Sequence, residues 1–328
     1  MNDVYRRAGV DLDAAAEAVE LIRDIASGAS RPEVVEGIGG FAGLFRIGEG
    51  RFLAAATDGV GTKLEVARLS GRLDTVGIDL VAMCADDVVC TGAEPLFFLD
   101  YLAVGRVEPE RVAAIVAGIA EGCRRAGCAL LGGETAEHPG VMAEDMFDLA
   151  GFCVGIVPAD GRIGPERVAP GDAIVGLASS GLHANGFSLV RRALLDEAGL
   201  DLDEVIPSLE RSLADELLEP TRIYAPLVLA LARDGLVHAA AHITGGGIPE
   251  NVPRAMPGGL HPSIRWGSWP IPPVFELLRL HVSEVDLRAT CNLGIGMALV
   301  VEASVADEVI RRADANGVPA WVMGTVEA

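Results

Sequence analysis

The feature that most limits how this chain can fold is an alternation of strand-like apolar runs with helical patterns. In a first series the strand-like runs are 51–57, 95–104, 128–133 and 147–157, and helical patterns lie between them at about 74–92 and 108–127. Alternation of this kind predicts layered α/β or α+β structure, in which helices cover the faces of sheets.

A second series follows a stretch rich in proline, glycine and aspartate, 158–173, which is typical of a domain junction. Its strand-like runs are 173–180, 238–244, 294–303 and 319–326, and its helical patterns lie at 185–198, within 212–234, and at 248–255 and 304–315. A length of 328 residues allows two domains of ordinary size. The sequence therefore predicts an N-terminal domain over 1–160 and a C-terminal domain over 161–328.

Charge and hydropathy exclude several classes of partner. A formal net charge of −21 would repel a nucleic-acid backbone. No run of 18 apolar residues suggests a membrane span, and the N-terminal segment lacks the apolar core of a signal sequence. That segment instead has helical spacing at Ala15, Val19, Ile22 and Ile25. We expect a cytoplasmic chain whose six cysteines, none in a C-x-x-C pair, are buried reduced thiols.

A glycine-rich stretch at 37–45 is the first candidate for ligand binding, with glycines at Gly37, Gly39, Gly40 and Gly43. A loop of this kind can bring backbone N–H groups close to a phosphate. It matches neither the P-loop nor the dinucleotide-binding fingerprint. A flexible loop without a ligand is the alternative.

Carboxylates recur beside glycines or within an apolar helix. Asp58 directly follows a strand and precedes Gly59 and Gly61, so it is either a metal ligand or an aspartate that caps its own turn. Glu134 follows a strand and a double glycine in the same way.

In the helical stretch 77–95, Asp79, Met83 and Asp86 share one face and Asp87 lies about 80° from it. Burying such groups is costly without a cation, which favours a metal over solvation. Asp58, Asp87 and Glu134 together predict a shared cation site, and Mg²⁺ prefers such oxygen ligands.

Two histidines lie beside glycine turns. His183 is in the segment 179–192, where a strand ends and a helix begins near Asn185, so that the free N–H groups of the helix could bind an anion. His242 precedes the glycines 245–247. An ordinary helix cap at His183 and a satisfied core residue at His242 are the alternatives.

Lys63, in the stretch TDGVGTKLEV, is the only lysine, and the other 25 basic residues are arginine. An ammonium is a compact point charge, whereas a guanidinium is a wide planar fork. Lys63 is therefore predicted to contact a phosphate or carboxylate near Asp58. A chance survivor at the rim of the site is the alternative.

Seven strings together resemble the aminoimidazole ribonucleotide synthetases, or phosphoribosylformylglycinamidine cyclo-ligases, over essentially the whole chain. They are YRRAGVDLDA, RPEVVEGIGGFAGLF, TDGVGTKL, GIDLVAMCADDVVCTGAEPLFFLDYLA, GGETAEHPG, SSGLHANGFSLVR and HITGGGIPENVPR. Two positions depart from the family pattern, since Asp86 replaces a common Asn and His138 replaces a common Met.

The resemblance implies a homodimer of two-domain subunits, in which strands of the N-terminal domains form a barrel across the dimer. It implies that ATP and Mg²⁺ bind between the domains. By the same resemblance Asp58, Asp87 and Glu134 would hold metal or nucleotide phosphates, and the glycine loop would cover those phosphates.

The substrate side would be formed by Ser180, His183, Asn185 and Gly186, with His242 facing the same groove. Catalytic roles would fall on His183, Lys63, Asp58 and His242.

The implied reaction is ATP-dependent closure of formylglycinamidine ribonucleotide to aminoimidazole ribonucleotide, with release of ADP and phosphate, in purine biosynthesis. A small-molecule kinase and a non-catalytic nucleotide-binding subunit are the alternatives.

Overall fold

The computed structural model describes residues 12–328, and its N-terminal part is built on a six-stranded sheet. The strands are β1 (Val34–Glu36), β2 (Gly43–Arg46), β3 (Arg51–Gly59), β4 (Glu94–Val104), β5 (Ala129–Glu137) and β6 (Phe147–Pro158). Their order is β1-β2-β3-β6-β4-β5, and the neighbours are antiparallel except for β4 and β5. The helices of this part are Leu12–Ser27, Lys63–Ser70, Val76–Val89 and Pro109–Ala126.

The C-terminal part contains a five-stranded antiparallel sheet of order β10-β12-β7-β13-β11 and a small hairpin of β8 and β9. The strands are β7 (Ala173–Ala178), β8 (Val205–Ile206), β9 (Arg211–Ser212), β10 (Ala239–His242), β11 (His261–Ile264), β12 (Ile295–Val301) and β13 (Ala320–Glu327). The α-helices are Phe187–Arg191, Leu213–Leu217, Ala225–Arg233, Gly247–Arg254, Pro273–Leu278, Glu284–Thr290 and Ala306–Ala315.

The predicted layering of helices on sheets in two domains is confirmed. The predicted helix at 185–198 begins at Phe187 and continues as a π-helical turn over Arg192–Glu197. The boundary after residue 160 lies at a 3₁₀ turn, Ala159–Gly161, and stays a prediction. Part of the YRRAGVDLDA string, residues 5–11, lies outside the described residues. Within 12–328 no helix is long and apolar enough to cross a membrane.

The helix Val76–Val89, here called the acidic helix, lies at the centre of the molecule, and all its residues except Asp87 are buried. It packs closely on the helix Pro109–Ala126 because glycine stands at the crossing. A Cβ on Gly77 would lie 2.3 Å from the backbone nitrogen of Ile119, and one on Gly118 would lie 2.4 Å from the carbonyl oxygen of Asp74. This close packing fixes where the carboxylates of the acidic helix point.

Two of those carboxylates reach into the C-terminal domain. Oδ1 of Asp79 accepts hydrogen bonds from the Thr221 N–H at 2.8 Å and from its hydroxyl at 2.6 Å. Oδ1 of Asp86 accepts one from the Tyr224 N–H at 2.9 Å, at the start of the helix Ala225–Arg233. The predicted shared face of Asp79 and Asp86 is confirmed. Donors of the other domain thus hold Oδ1 of each residue, whereas Oδ2 of each is buried without a hydrogen-bond partner. The cation beside Asp79 is the ammonium of Lys63, and a metal ion at these two residues stays a prediction.

Asp86 gives a pH-dependent contribution to stability. Burial raises its pKa to about 7 from an ordinary value of 3.8, against the opposing charge of His242 and the N–H groups of Tyr224 and Ala225. The folded state therefore holds a proton that the unfolded state releases, so stability falls as pH rises from about 4 to about 7.

We expect Asp86→Asn to remove this dependence, because the amide cannot ionise and its oxygen can still accept from Tyr224. Urea unfolding in metal-free buffer should show the wild type losing about 2–3 kcal/mol more than the variant between pH 5 and pH 8. Parallel stability curves for the two proteins would contradict this assignment.

Candidate active site

The centre of the candidate site is a contact between the two domains. Asp87, the one acidic-helix residue that is not buried, lies with its Oδ1 3.0 Å from Nδ1 of His242 at the end of β10. Asp58 lies next to the last residue of β3, and its charge acts on His242, while the charge of Asp87 acts on Asp58. The structure therefore brings together three of the predicted site residues.

The protonation of this group follows from burial and mutual charge. Burial raises the pKa of Asp58, and the charge of Asp87 adds to the increase, while the Gly59 N–H and His242 oppose it. Burial alone would lower the pKa of His242, but the hydrogen bond and charge of Asp87, with the charges of Asp86 and Asp58, raise it. Nε2 of His242 is buried without a hydrogen-bond partner. The imidazole can therefore exchange a proton at this nitrogen while Asp87 holds the other.

Of these three residues, Asp58 lines a cavity of about 310 Å³ whose walls come from both domains. The N-terminal domain contributes the segment from Asp58 to Thr62, and the C-terminal domain contributes the segment from Ala184 to Ser188. The hydroxyls of Thr62 and Ser188 are 3.0 Å apart. Asn185 and Gly186 thus line the same cavity as Asp58, and their role on the substrate side stays a prediction.

His183 is not at an open helix mouth, contrary to the sequence-based expectation. Its side chain is 2 % exposed and lies beside Tyr224, and its φ of 65° turns the backbone into the left-handed region. Nε2 accepts a hydrogen bond from the Ser180 N–H at 3.2 Å, and the Ser180 hydroxyl donates to the Pro220 carbonyl. Burial lowers the pKa of His183, so the ring is neutral. Its Nδ1 has no partner and is the one atom through which it could act.

Lys63 contacts a carboxylate, which confirms that part of its prediction, but the carboxylate is that of Asp79 inside the protein. The predicted position in the groove beside Asp58 is wrong, and Lys63 is not a rim residue either. The side chain is fully buried, and its ammonium is 2.9 Å from Asp79 Oδ1, 2.9 Å from the His183 carbonyl and 2.8 Å from the Glu219 carbonyl. All three N–H donors are therefore used inside the protein. Lys63 joins the acidic helix to two segments of the C-terminal domain.

The glycine loop lies at the same end of the sheet as Asp58. Gly43 pairs with Ala55 in antiparallel β2 and β3, so the residues before Gly43 extend along the chain toward Asp58. Arg254 of the C-terminal domain donates to the Gly40 carbonyl at 2.9 Å and packs on the ring of Phe41. The roles of Gly37, Gly39, Gly40 and Gly43 in phosphate binding stay predictions.

Glu134 does not join Asp58 and Asp87 within one subunit, and the predicted three-carboxylate cluster is wrong in this respect. In the sheet register Glu134 is opposite Tyr101, Tyr101 is opposite Ala150, and Ala150 is opposite Gly59. Three inter-strand spacings separate it from β3 by about 14 Å. Asp58 also precedes Gly59 by one residue and so points to the other face of the sheet.

The remaining carboxylates suit Mg²⁺ with ATP rather than a metal held by protein ligands alone. Among residues 12–328 no group of three or more His, Cys, Asp or Glu side chains has the geometry of a metal site. Mg²⁺ commonly takes one or two carboxylates and completes its shell with water and phosphate oxygens. Asp58, which lines the cavity, and Asp87, whose charge acts on Asp58, are each only partly buried and fit that requirement.

Sequence reasoning missed the residues that hold the domains together. Thr221 and Tyr224 supply backbone donors to the acidic helix, and no local motif marks them. Gly296 in β12 leaves room for this arrangement, since a Cβ there would lie 2.1 Å from the Tyr224 hydroxyl and 2.3 Å from Cε1 of His183.

Two family models match this architecture in order along the chain. The model described as AIR synthase related protein, N-terminal domain, matches residues 39–157, and its C-terminal counterpart matches residues 169–328. The crystal structure of tt0281 from Thermus thermophilus has a TM-score of 0.68 at 25% identity, covering 94% of this chain and 93% of that one. T. maritima PurL complexed with ADP has a TM-score of 0.61 at 16% identity, covering 90% of this chain and 43% of that one. The fold and site define a two-domain protein of the AIR synthase class.

Sequence similarity to curated proteins identifies the family within this class. The chain is 48% identical over 328 residues to the phosphoribosylformylglycinamidine cyclo-ligase of Geotalea uraniireducens (strain Rf4), covering 98% of this chain and 94% of the relative. The chain therefore belongs to the phosphoribosylformylglycinamidine cyclo-ligase family, whose members are ligases of purine biosynthesis.

The structure predicts that Lys63 contributes to stability through Asp79. Lys63→Met leaves a buried carboxylate without its ion pair, and we expect a loss of about 3–5 kcal/mol in urea unfolding. The second variant, Asp79→Asn, keeps an oxygen that can accept the hydrogen bonds of Thr221 but removes the negative charge that pairs with Lys63. A double-mutant cycle should show the double variant losing less than the sum of the two single losses. Additive losses, or a Lys63→Met cost below about 1 kcal/mol, would contradict a coupled pair.

Proposed function

We propose that this enzyme closes the imidazole ring of aminoimidazole ribonucleotide from formylglycinamidine ribonucleotide, with ATP converted to ADP and phosphate. The observation that carries the proposal is the Asp87–His242 contact, whose charges act on Asp58, together with the position of Asp58 in the wall of a cavity that both domains line. It combines carboxylates for a metal–nucleotide complex with an imidazole that can move a proton. Family membership supports the same reaction.

In this proposal ATP binds between the domains and Asp58 and Asp87 hold the Mg²⁺ that accompanies its phosphates. When bound, Mg²⁺ would neutralise charge on the transferring phosphoryl group. The glycine loop 37–43 would cover the phosphates with its backbone N–H groups. The fold relative PurL was solved with ADP, which supports nucleotide binding by this architecture.

The chemistry requires an amide oxygen to become a leaving group. The γ-phosphoryl group of ATP is transferred to that oxygen, which releases ADP and forms an iminophosphate. A nitrogen of the same substrate then attacks the imidate carbon, and phosphate departs with the oxygen. We assign the proton released by the attacking nitrogen to Nε2 of His242, whose other nitrogen Asp87 orients. Asn185 and Gly186 would position the substrate on the opposite wall, an effect that lowers the entropic barrier to ring closure.

We propose further that two copies pair through the six-stranded sheet and form a barrel. Tyr101 and Phe152 lie on the outer face of this sheet and are 42 % and 40 % exposed, although both are large and apolar in part. β5 is an edge strand. An unpaired edge beside exposed aromatic residues favours pairing with another sheet. Sedimentation equilibrium tests this, and a monomer at micromolar concentration would contradict it.

The decisive variants are at adjacent positions of the acidic helix. We expect Asp87→Asn to abolish formation of the aminoimidazole product and to weaken Mg²⁺–ATP binding, because it loses a metal ligand and the charge that orients His242. Asp86→Asn is the matched control and should keep turnover, since the hydrogen bond of Asp86 is to the backbone of the C-terminal domain.

The assay measures phosphate release together with the aminoimidazole product. Phosphate release without formylglycinamidine ribonucleotide would identify a kinase or an ATPase instead, and ATP binding without any turnover would identify a non-catalytic subunit. Unchanged Mg²⁺–ATP affinity in Asp87→Asn would remove Asp87 from the metal site.

A further inference from the structure

A second cavity, of about 740 Å³, continues from the one beside Asp58, and the two share Gly61 and Thr62 in their walls. Its volume is within the range of small-molecule sites. Arg191, the last residue of the helix Phe187–Arg191, lies in its wall. Arg191 is one helical turn after Ser188, whose hydroxyl meets that of Thr62, so both side chains are on the same side of the helix.

Arg191 differs from the other arginine of this cavity in having no partner. Arg68 donates to both oxygens of Glu65 and also to Asp145. Among the described residues no carboxylate forms an ion pair with Arg191, and its Nε is buried without a hydrogen-bond partner. The charge of Arg191 does lower the pKa of Glu65, but both carboxylate oxygens of Glu65 already accept hydrogen bonds from Arg68.

A buried unpaired guanidinium nitrogen is costly, so an anion that supplies the missing acceptor would bind favourably. In a chain with a net charge of −21, most other arginines have carboxylate partners and are not available for this role. Guanidinium groups form paired hydrogen bonds with phosphate oxygens. The cavity therefore has donors for a phosphomonoester in Arg191 and the Thr62 hydroxyl, and the Ser188 hydroxyl lies 3.0 Å from that of Thr62 in the adjoining cavity.

We propose that Arg191 binds the phosphate group of the ribonucleotide substrate, in a subsite distinct from the ATP phosphates. This inference rests on the proposed function for the nature of the substrate. The acidic residues of the cavity limit where the phosphate can lie: Glu65 and Asp145 surround Arg68, and Asp148 accepts the Leu149 N–H. The phosphate therefore occupies the end of the cavity near Thr62, and the reacting part of the substrate extends toward Asp58 and Asn185.

The kinetic test compares Arg191→Gln with Arg192→Gln. Arg192 is the adjacent arginine, but its Nε pairs with Glu197 at 2.8 Å and it does not line the cavity. We expect Arg191→Gln to raise KM for formylglycinamidine ribonucleotide by about 10- to 100-fold, the usual range for a lost charged hydrogen bond. KM for ATP should change less than about threefold, and Arg191→Lys should recover part of the affinity.

A substrate without its phosphate sharpens this test. The wild type should discriminate strongly against the dephosphorylated nucleoside, whereas Arg191→Gln should lose most of that discrimination. Equal discrimination by both proteins, or equal KM values for Arg191→Gln and Arg192→Gln, would overturn the proposal.

A binding measurement separates this inference from the proposed function. Calorimetry with ribose 5-phosphate and with ribose, on the folded wild type and both variants, needs no turnover. Binding of ribose 5-phosphate that is lost only in Arg191→Gln supports the subsite, even if the wild type makes no aminoimidazole product. If the wild type forms the product but binds ribose 5-phosphate no better than Arg191→Gln does, the proposed function is kept and the subsite is refuted. Free inorganic phosphate is the third ligand, and binding of it alone would also refute a substrate subsite.

Discussion

The structure depends on one buried ion pair, between Lys63 and Asp79, and on the groups of the C-terminal domain that complete it. Neither charge is exposed, and burial lowers the pKa of Lys63 and raises that of Asp79. Isolated charges at such a position would cost several kcal/mol each. Thr221 and the carbonyls of His183 and Glu219 supply the missing hydrogen bonds. The N-terminal domain therefore cannot satisfy its own central helix unless the C-terminal domain is docked.

That docking also assembles the candidate site. The acidic helix directs Asp79 and Asp86 to the C-terminal domain, and the next residue, Asp87, to His242. The same ammonium that neutralises Asp79 holds the carbonyl of His183, which begins the segment carrying Asn185 and Gly186. The carboxylates that join the domains and a carboxylate of the site thus lie along one helix. A change in domain docking would move the two walls of the cavity relative to each other, because each wall belongs to a different domain.

The sequence predicted the layers and most long elements, because these follow from local periodicity. It placed Asp79 and Asp86 on one face correctly, since helical spacing decides this. It could not predict their partners, since Asp79 and Thr221 are 142 residues apart. For Glu134 the local pattern was misleading. Its motif resembles that of Asp58, but the sheet register places Glu134 three strands away and on the other face of the sheet. Short elements such as β1 and β11 had too little pattern to be recognised.

The two domains form one cooperative unit because each leaves buried polar groups that only the other satisfies. Differential scanning calorimetry of the ligand-free wild type tests this most directly. We expect a single transition whose calorimetric enthalpy equals its van't Hoff enthalpy at constant protein concentration. Two resolved transitions, with one domain retaining its native signal after the other has melted, would contradict it.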